Sequence, residues 1–189
     1  MRFKLSVIAA ALSVTAGFAA PAWAQQQGVT DTEIVIGTHM DLSGPIKSWG
    51  VPASQGMKLA IEQINAAGGV LGRKIKFIQE DGASDWPTFA EKAKKLLVND
   101  KVAAIMGCWT SASRKAVLPV MEQYNGMLYY PTFYEGLEQS KNVIYTGQEA
   151  TQQILAGLDW VSKTKNGKSF YLIGSAVRAR ASSAYLLSG

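Results

Sequence analysis

The sequence predicts an α/β protein in which helices cover both faces of a parallel β-sheet. Short runs rich in β-branched residues alternate along the chain with longer segments whose apolar residues recur at helical spacing. Glycine, proline and polar residues separate the two kinds of segment. Because parallel strands need a right-handed helical crossover between them, this alternation favours a parallel sheet.

Each element has a local signal of its own. The first strand is a β-branched run, and the first helix has Pro52 in its first turn and Gly68 after its end. The strands are predicted at 33–38, 74–79, 102–106, 127–130, 142–146 and 169–173. The helices are predicted at 52–67, from Asp85 onward, at 111–124 and at 151–163. Their apolar faces are Met57, Ala60, Ile61 and Ile64; Phe89, Ala93, Leu96 and Leu97; Val117, Val120, Met121 and Tyr124; and Ile154, Leu158 and Val161.

Composition excludes several classes of protein. Of the 189 residues, 48% are hydrophobic and 17% charged, which is unlike a disordered chain. A single cysteine excludes a disulfide scaffold, and a single histidine leaves little room for a His-based metal site. The net charge of +5 depends on Arg2, Lys4, Arg178 and Arg180, without which 15 Lys and Arg face 14 Asp and Glu. We therefore expect no nucleic acid partner, and no metal or cofactor.

The first 24 residues have the pattern of a cleavable export signal. Arg2 and Lys4 precede an apolar stretch that is short for a bilayer core, and Ala22-Trp23-Ala24 forms a small-x-small cleavage site. We expect export to the periplasm, with no stable membrane insertion after cleavage. We divide the rest into a first α/β lobe at 25–147, the start of a second lobe at 148–175 and an aberrant tail at 176–189.

Ligands of parallel sheets bind beyond the carboxyl ends of the strands, which directs attention to the loops at 39–51, 80–87, 107–112 and 131–138. The third loop joins a buried strand directly to a helix, so its hydroxyls can serve as an N-cap or its free N–H groups can bind a carbonyl oxygen or anion. The fourth is rich in aromatic and hydroxyl side chains, which suits a small polar ligand. Core packing is the alternative for some of Tyr129, Phe133 and Tyr134.

Other candidate features have structural explanations. The glycine-rich stretch 68–74 lacks the order of a phosphate loop and suits a helix stop. Glu80, Asp81 and Asp85 could form a cation site, but a helix cap at Asp85 is favoured. Cys108 is better interpreted as a small buried hydrophobe than as a nucleophile, since no histidine is near it in sequence to activate it.

Several segments together resemble the type I periplasmic solute-binding proteins of ABC importers for branched-chain amino acids, urea and short-chain amides. They are 36–38, 41–45, 64–74, 81–92, 107–119, 130–138 and 145–147, and the last four look like the urea and amide branch. The resemblance implies two α/β lobes that close on a small solute, a permease in the inner membrane as partner, and no enzymatic activity. The implied ligand contacts are Trp109, Ser111, Tyr130 and Thr132, with Trp49 as a further candidate.

The resemblance ends near Ser175, and such proteins are usually about twice as long. The alanine- and arginine-rich end of the chain resembles translation out of frame, so we expect a truncated product with weak binding. Alternatives of the same fold are a branched-chain amino acid-binding protein and an amide-sensing regulator, although export argues against the regulator. An amidase using Cys108 is disfavoured because no base is available.

Overall fold

Five parallel strands form one sheet in the computed structural model, which describes residues 26–171. The strands are β1 (Glu33–Met40), β2 (Lys74–Asp81), β3 (Ala104–Gly107), β4 (Leu128–Tyr130) and β5 (Val143–Tyr145). The helices are α1 (Lys47–Ala66), α2 (Trp86–Val98), α3 (Ser111–Gln123) and α4 (Ala156–Lys165), the last preceded by a π-helical turn at Thr151–Leu155. The predicted α/β class with a parallel sheet is confirmed.

The strand order is β2-β1-β3-β4-β5, and every neighbouring pair is parallel. After β1 the chain passes through α1 to β2 on one side, and then through α2 to β3 on the other side of β1. At the carboxyl end of the sheet, Met40 pairs with Asp81, and His39 pairs with Gly107. The loops after β1 and β3 therefore lie on either side of a topological switch point, where parallel sheets usually bind ligands.

The core lies between the sheet and helices α2 and α3. The whole apolar face predicted for α2 is buried there, as are Val117 and Met121 of α3, while Tyr124 at the end of α3 is 36% exposed. Buried strand residues that pack against these helices are Ile105, Leu128, Tyr130 and Val143. These contacts fix the ends of β3 and β4, from which the candidate ligand loops emerge.

The opposite face of the sheet is covered less completely than the sequence predicts. Helix α1 packs against β1 and β2, whereas Tyr129 of β4 and Ile144 of β5 are 36% and 43% exposed. The predicted apolar face of α1 is itself only partly buried, and Ile64 is 39% exposed. A helix about 10 Å wide covers roughly two strands spaced about 4.8 Å apart, so α1 leaves the far side of the described sheet open.

Helix α1 begins at Lys47, five residues before the predicted start, and Pro52 lies inside it. The N–H groups of Trp49 and Gly50 donate to the carbonyl of Ile46 and form its first turn. Glycine at position 50 makes this start possible, because a Cβ atom there would clash with the backbone oxygen of Asp41 at 2.1 Å. The helix ends as predicted, with Gly68 and Gly69 at positive φ.

The last described element is α4, which confirms the predicted helix but buries none of its residues. The strand predicted at 169–173 does not form in residues 169–171, and 172–173 lie outside the described residues. The predicted export signal and aberrant tail also lie outside them. None of the helices between residues 26 and 171 has both the length and the apolar character needed to span a bilayer.

Candidate functional site

The candidate site lies at the switch point, where β3 leads into α3. Cys108 has a φ of +63°, in the left-handed region, so the chain turns sharply after β3. A non-glycine residue in this conformation costs about 1–3 kcal/mol and persists where its surroundings hold it. The turn places Trp109 beside the end of β1 and starts α3 two residues later.

A capping box fixes the start of α3. Thr110 Oγ1 accepts a hydrogen bond from the N–H of Ser113 at 3.1 Å, and Ser113 Oγ accepts one from the N–H of Thr110 at 3.2 Å. Among the described residues, the N–H groups of Ser111 and Ala112 have no backbone or side-chain acceptor. The positive end of the helix dipole and these two donors therefore face the loop side, where an anion or carbonyl oxygen is stabilised. The same loop can therefore serve as the N-cap of α3 and as a site for a ligand oxygen, so the two functions predicted for it do not exclude each other.

Two tryptophans from either side of the switch point form an aromatic surface next to these donors. The rings of Trp49 and Trp109 stack with centroids 5.5 Å apart and planes 17° from parallel. Trp49 is 60% exposed, so its side chain is accessible to a ligand. The structure thus brings the predicted residues Trp49, Trp109 and Ser111 to one place.

Tyr130 and Thr132 lie below this surface rather than on it. Their hydroxyls donate to the carbonyl oxygen of Trp109, at 3.1 Å from Tyr130 Oη and 2.8 Å from Thr132 Oγ1. Tyr130 is fully buried and Thr132 is 9% exposed, and burial raises the pKa of the Tyr130 phenol. In the described structure these two residues support the Trp109 loop, so their predicted direct contact with a ligand stays a prediction.

The aromatic segment after β4 is only partly in the core. Core packing was expected for some of Tyr129, Phe133 and Tyr134, and Tyr134 packs against the buried core, whereas Tyr129 and Phe133 are 36% and 63% exposed. Side chains alternate along β4, so Leu128 and Tyr130 face α3 while Tyr129 faces the open side of the sheet. Tyr134 is half-buried and stacks on Tyr145 with ring centroids 4.4 Å apart.

A buried ionic cluster next to the site was missed by the sequence analysis. Arg114 is fully buried, and its guanidinium donates to Glu138 at 2.7 and 3.2 Å and to Glu135 at 3.3 Å. Glu138 also accepts a 2.7 Å hydrogen bond from Tyr145. Desolvation raises the pKa of Glu138, but hydrogen bonds from Arg114 and Tyr145 outweigh it and hold that pKa below its usual range. Arg114 remains charged because Glu138 more than offsets the effect of burial on its pKa.

Cys108 has a histidine neighbour that its sequence position does not reveal. Its Sγ lies 4.0 Å from Nε2 of His39, 69 residues earlier in the chain. Both side chains are fully buried, and burial lowers the pKa of His39 to about 4 and raises that of Cys108 to about 12. Both groups are therefore neutral near pH 7, whereas a nucleophilic pair needs a thiolate. The interpretation of Cys108 as a small buried residue is supported.

Asp81, at the end of β2, and Asp85, just before α2, have structural roles. Asp85 caps α2 by accepting from the N–H of Thr88 at 3.0 Å, which confirms the predicted cap. Asp81 accepts hydrogen bonds from the N–H groups of Leu42 and Ser43 in the β1–α1 loop. Within residues 26–171 no cluster of three or more His, Cys, Asp and Glu side chains could hold a metal ion.

Asp41 at the end of β1 was not singled out by the sequence analysis. It is fully buried, and among the described residues neither of its carboxylate oxygens has a hydrogen-bond partner. Desolvation raises its pKa above the usual range, against the opposing effect of Ser84. The first turn of α1, which carries Trp49, meets the Asp41 backbone at Gly50.

Comparison with known proteins identifies the family. A family model described as a periplasmic binding protein domain matches residues 34–184. The Leu/Ile/Val-binding protein homolog 3 of Brucella melitensis is 29% identical over 179 residues, covering 92% of this chain and 45% of that protein. The leucine-specific-binding protein of Salmonella typhimurium is 31% identical over 110 residues, covering 58% of this chain and 30% of that protein.

Solved structures agree with these relatives. A fatty acid ABC transporter substrate-binding protein from Thermomonospora curvata superposes with a TM-score of 0.69 at 26% identity, over 87% of this chain and 43% of that one. An ABC transporter solute binding protein from Rhodopseudomonas palustris, in complex with 3,4-dihydroxy benzoic acid, gives a TM-score of 0.63 at 26% identity, over 71% and 37%. The chain thus spans less than half of the length of each of these proteins.

The comparisons refine the predictions. All four proteins are named as binding proteins, in agreement with the prediction that the chain is not an enzyme. None of these four names mentions urea or an amide, so assignment to that branch stays a prediction. The match over residues 34–184, together with the parallel sheet, shows that the chain belongs to the family of type I periplasmic binding protein domains.

Proposed function

We propose that this chain is the solute-binding component of a periplasmic ABC importer and that its described lobe binds the carboxylate end of a small organic acid. Branched-chain amino acids are the ligand class that we favour. The observation that carries the proposal is the start of α3, where two backbone N–H groups and the Ser111 hydroxyl lie beside a stacked tryptophan pair.

The chemistry of this place suits a carboxylate with an apolar body. Free N–H groups at a helix N-terminus stabilise negative charge, and charge-assisted hydrogen bonds are stronger than neutral ones. The exposed face of Trp49 offers apolar contact area to the remainder of the ligand. Leucine, isoleucine, valine, a fatty acid and 3,4-dihydroxy benzoic acid, which the names of the similar proteins mention, all combine these two parts.

Binding requires no covalent step. The donors at the start of α3 hold the oxygen atoms, the tryptophans exclude water from one side, and closure of a second lobe would select the ligand by differential affinity. Cys108 and His39 lie beneath the loop, buried and neutral, so they offer no nucleophile to a bound solute. Delivery to a membrane permease and export by residues 1–24 complete the proposal.

Urea or a short-chain amide, predicted from the sequence resemblance, is the alternative ligand class. A neutral carbonyl oxygen would use the same N–H groups but would gain less from the helix dipole. A negative charge on the ligand should therefore strengthen binding if the site takes carboxylates, and should matter much less if it takes urea or amides. This difference makes them separable by experiment.

The test is a titration followed by amide and indole NMR signals, which detects weak binding on the order of 10 mM. We expect leucine to shift the signals of Ser111, Ala112, Trp49 and Trp109, and leucinamide and urea to shift them less. Ser111→Ala should weaken leucine binding, whereas Ser48→Ala, at an exposed position of α1, should not. Shifts with urea or acetamide but none with leucine would replace the proposed ligand class, and shifts elsewhere in the lobe would overturn the site.

A further inference from the structure

Arg114 connects the buried ionic cluster to the site. It lies three residues after Ser111 on α3, so the two side chains share one helix face. Its Nη1 donates to Ser111 Oγ at 3.0 Å, while Nε and Nη2 bond Glu138 and Glu135. One guanidinium thus joins the first turn of α3 to the loop that follows β4.

The guanidinium is not itself available to a ligand. Arg114 is fully buried, two carboxylates oppose its charge, and its Cζ atom lies 4.6 Å from the centroid of the Tyr130 ring. Of its five N–H groups, four are used by Glu138, Glu135 and Ser111. A planar fork held in this way has one orientation, which an ammonium group would not maintain.

The bond to Ser111 determines how that hydroxyl can act. An oxygen that accepts from a guanidinium has one lone pair occupied and a more polarised O–H bond, which favours donation of its own proton. We propose that Arg114 is a positioning residue, which fixes the Ser111 side chain so that its hydroxyl donates to a ligand oxygen. This inference rests on the proposed function, because it concerns the same Ser111.

A purely structural role of Arg114 would have a different signature. It would lower stability and affinity irrespective of the residue at position 111, whereas a role through Ser111 should disappear when Ser111 is absent. A double-mutant cycle separates the two. The variants are Ser111→Ala, Arg114→Lys and both together. Arg73→Lys is the control, because the Nε of Arg73 also donates a hydrogen bond, in its case to the carbonyl of Thr30 and far from the site.

Leucine affinity is measured for each variant by the NMR titration. We expect Ser111→Ala to lose about tenfold in affinity, Arg114→Lys to lose nearly as much, and the double variant to lose no more than Ser111→Ala alone. Arg73→Lys should bind like the unaltered chain. Equal losses from Arg114→Lys with and without Ser111 would overturn the inference.

A ligand-free measurement keeps the test decisive if leucine does not bind, or if Arg114→Lys does not fold. The α–β proton couplings of Ser111 should indicate one rotamer in the unaltered chain, and Ser111→Ala should shift the Arg114 Nη1 signals and speed their exchange with water. Unchanged Arg114 signals, or an averaged Ser111 rotamer in the unaltered chain, would contradict the positioning role. Failure of leucine to bind with both of these results as expected would count against the proposed ligand class only.

Discussion

The segments that follow β1 and β3 each present a tryptophan at the switch point, but they hold it by different means. The carbonyl of Trp109 accepts two side-chain hydrogen bonds, and the capping box of α3 follows immediately. Trp49 lies in the first turn of α1, which has no side-chain cap, and it is 60% exposed. On the Trp109 side the directed bonds reach the carbonyl of the tryptophan itself. On the Trp49 side, side-chain bonds from Asp81 and Ser84 hold the loop before α1, and the helix backbone packs against Asp41 at Gly50.

The largest effect is expected at that backbone contact. Gly50→Ala places a Cβ 2.1 Å from the Asp41 carbonyl oxygen, so α1 or the loop must shift at a cost of about 1–3 kcal/mol in unfolding free energy. Gly56→Ala is the matched control, because its Cβ meets no atom within 4 Å and alanine should stabilise the helix by about 0.5–1 kcal/mol.

Urea denaturation measures both substitutions, and near-UV circular dichroism reports on the stacked tryptophans. We expect the dichroism of the pair to change in Gly50→Ala and to stay the same in Gly56→Ala. If the two variants were equally stable, the close approach of α1 to Asp41 would not be what holds the Trp49 side.

A smaller effect is expected on the Trp109 side. Thr110→Ala removes the side-chain acceptor for the N–H of Ser113 and should lower the unfolding free energy by about 1 kcal/mol. Thr151→Ala is the control, since the turn that begins at Thr151 has no side-chain cap. Thermal unfolding followed by far-UV circular dichroism compares them. Equal stability of both variants would show that the capping box contributes little to fixing this loop.

Elements whose signal is local were predictable from the sequence. The β-branched run of β1, the buried apolar face of α2 and the cap at Asp85 are read within a few residues, and the structure contains all three. The early start of α1 could not be predicted from the sequence, because it depends on the close contact of Gly50 with Asp41, nine residues earlier. Local signals end where packing between elements decides the conformation.

The same distinction applies to the site. Trp109 and Ser111 follow from the position of a loop between a strand and a helix, which the alternation of patterns reveals. The pairs Arg114–Glu138 and His39–Cys108 are 24 and 69 residues apart. Nothing in the sequence near either partner indicates the other, so these contacts emerge only when the strands are placed side by side.

The smallest expected effect concerns how the stability of the Trp49 side and of the Trp109 side depends on pH. Asp41 beneath α1 has a raised pKa because of desolvation, whereas the pKa of Glu138 near α3 is lowered. A raised pKa means that the folded state holds its proton more tightly than the unfolded state, so stability falls as the pH rises from the unfolded value, about 3.9, through the folded one. For Glu138 the sign is opposite, and its contribution is lost as the pH falls through the folded pKa.

Asp41→Asn should remove the pH dependence that comes from Asp41 and leave the one that comes from Glu138. Compared with this variant, the unaltered chain should therefore gain relative stability between pH 7 and pH 4, because protonation relieves the buried charge of Asp41. Urea denaturation across this range gives the difference, with Asp31→Asn, at an exposed position before β1, as the matched control. A difference between Asp41→Asn and the unaltered chain that stays constant with pH would mean that Asp41 has an ionic or hydrogen-bonding partner in solution.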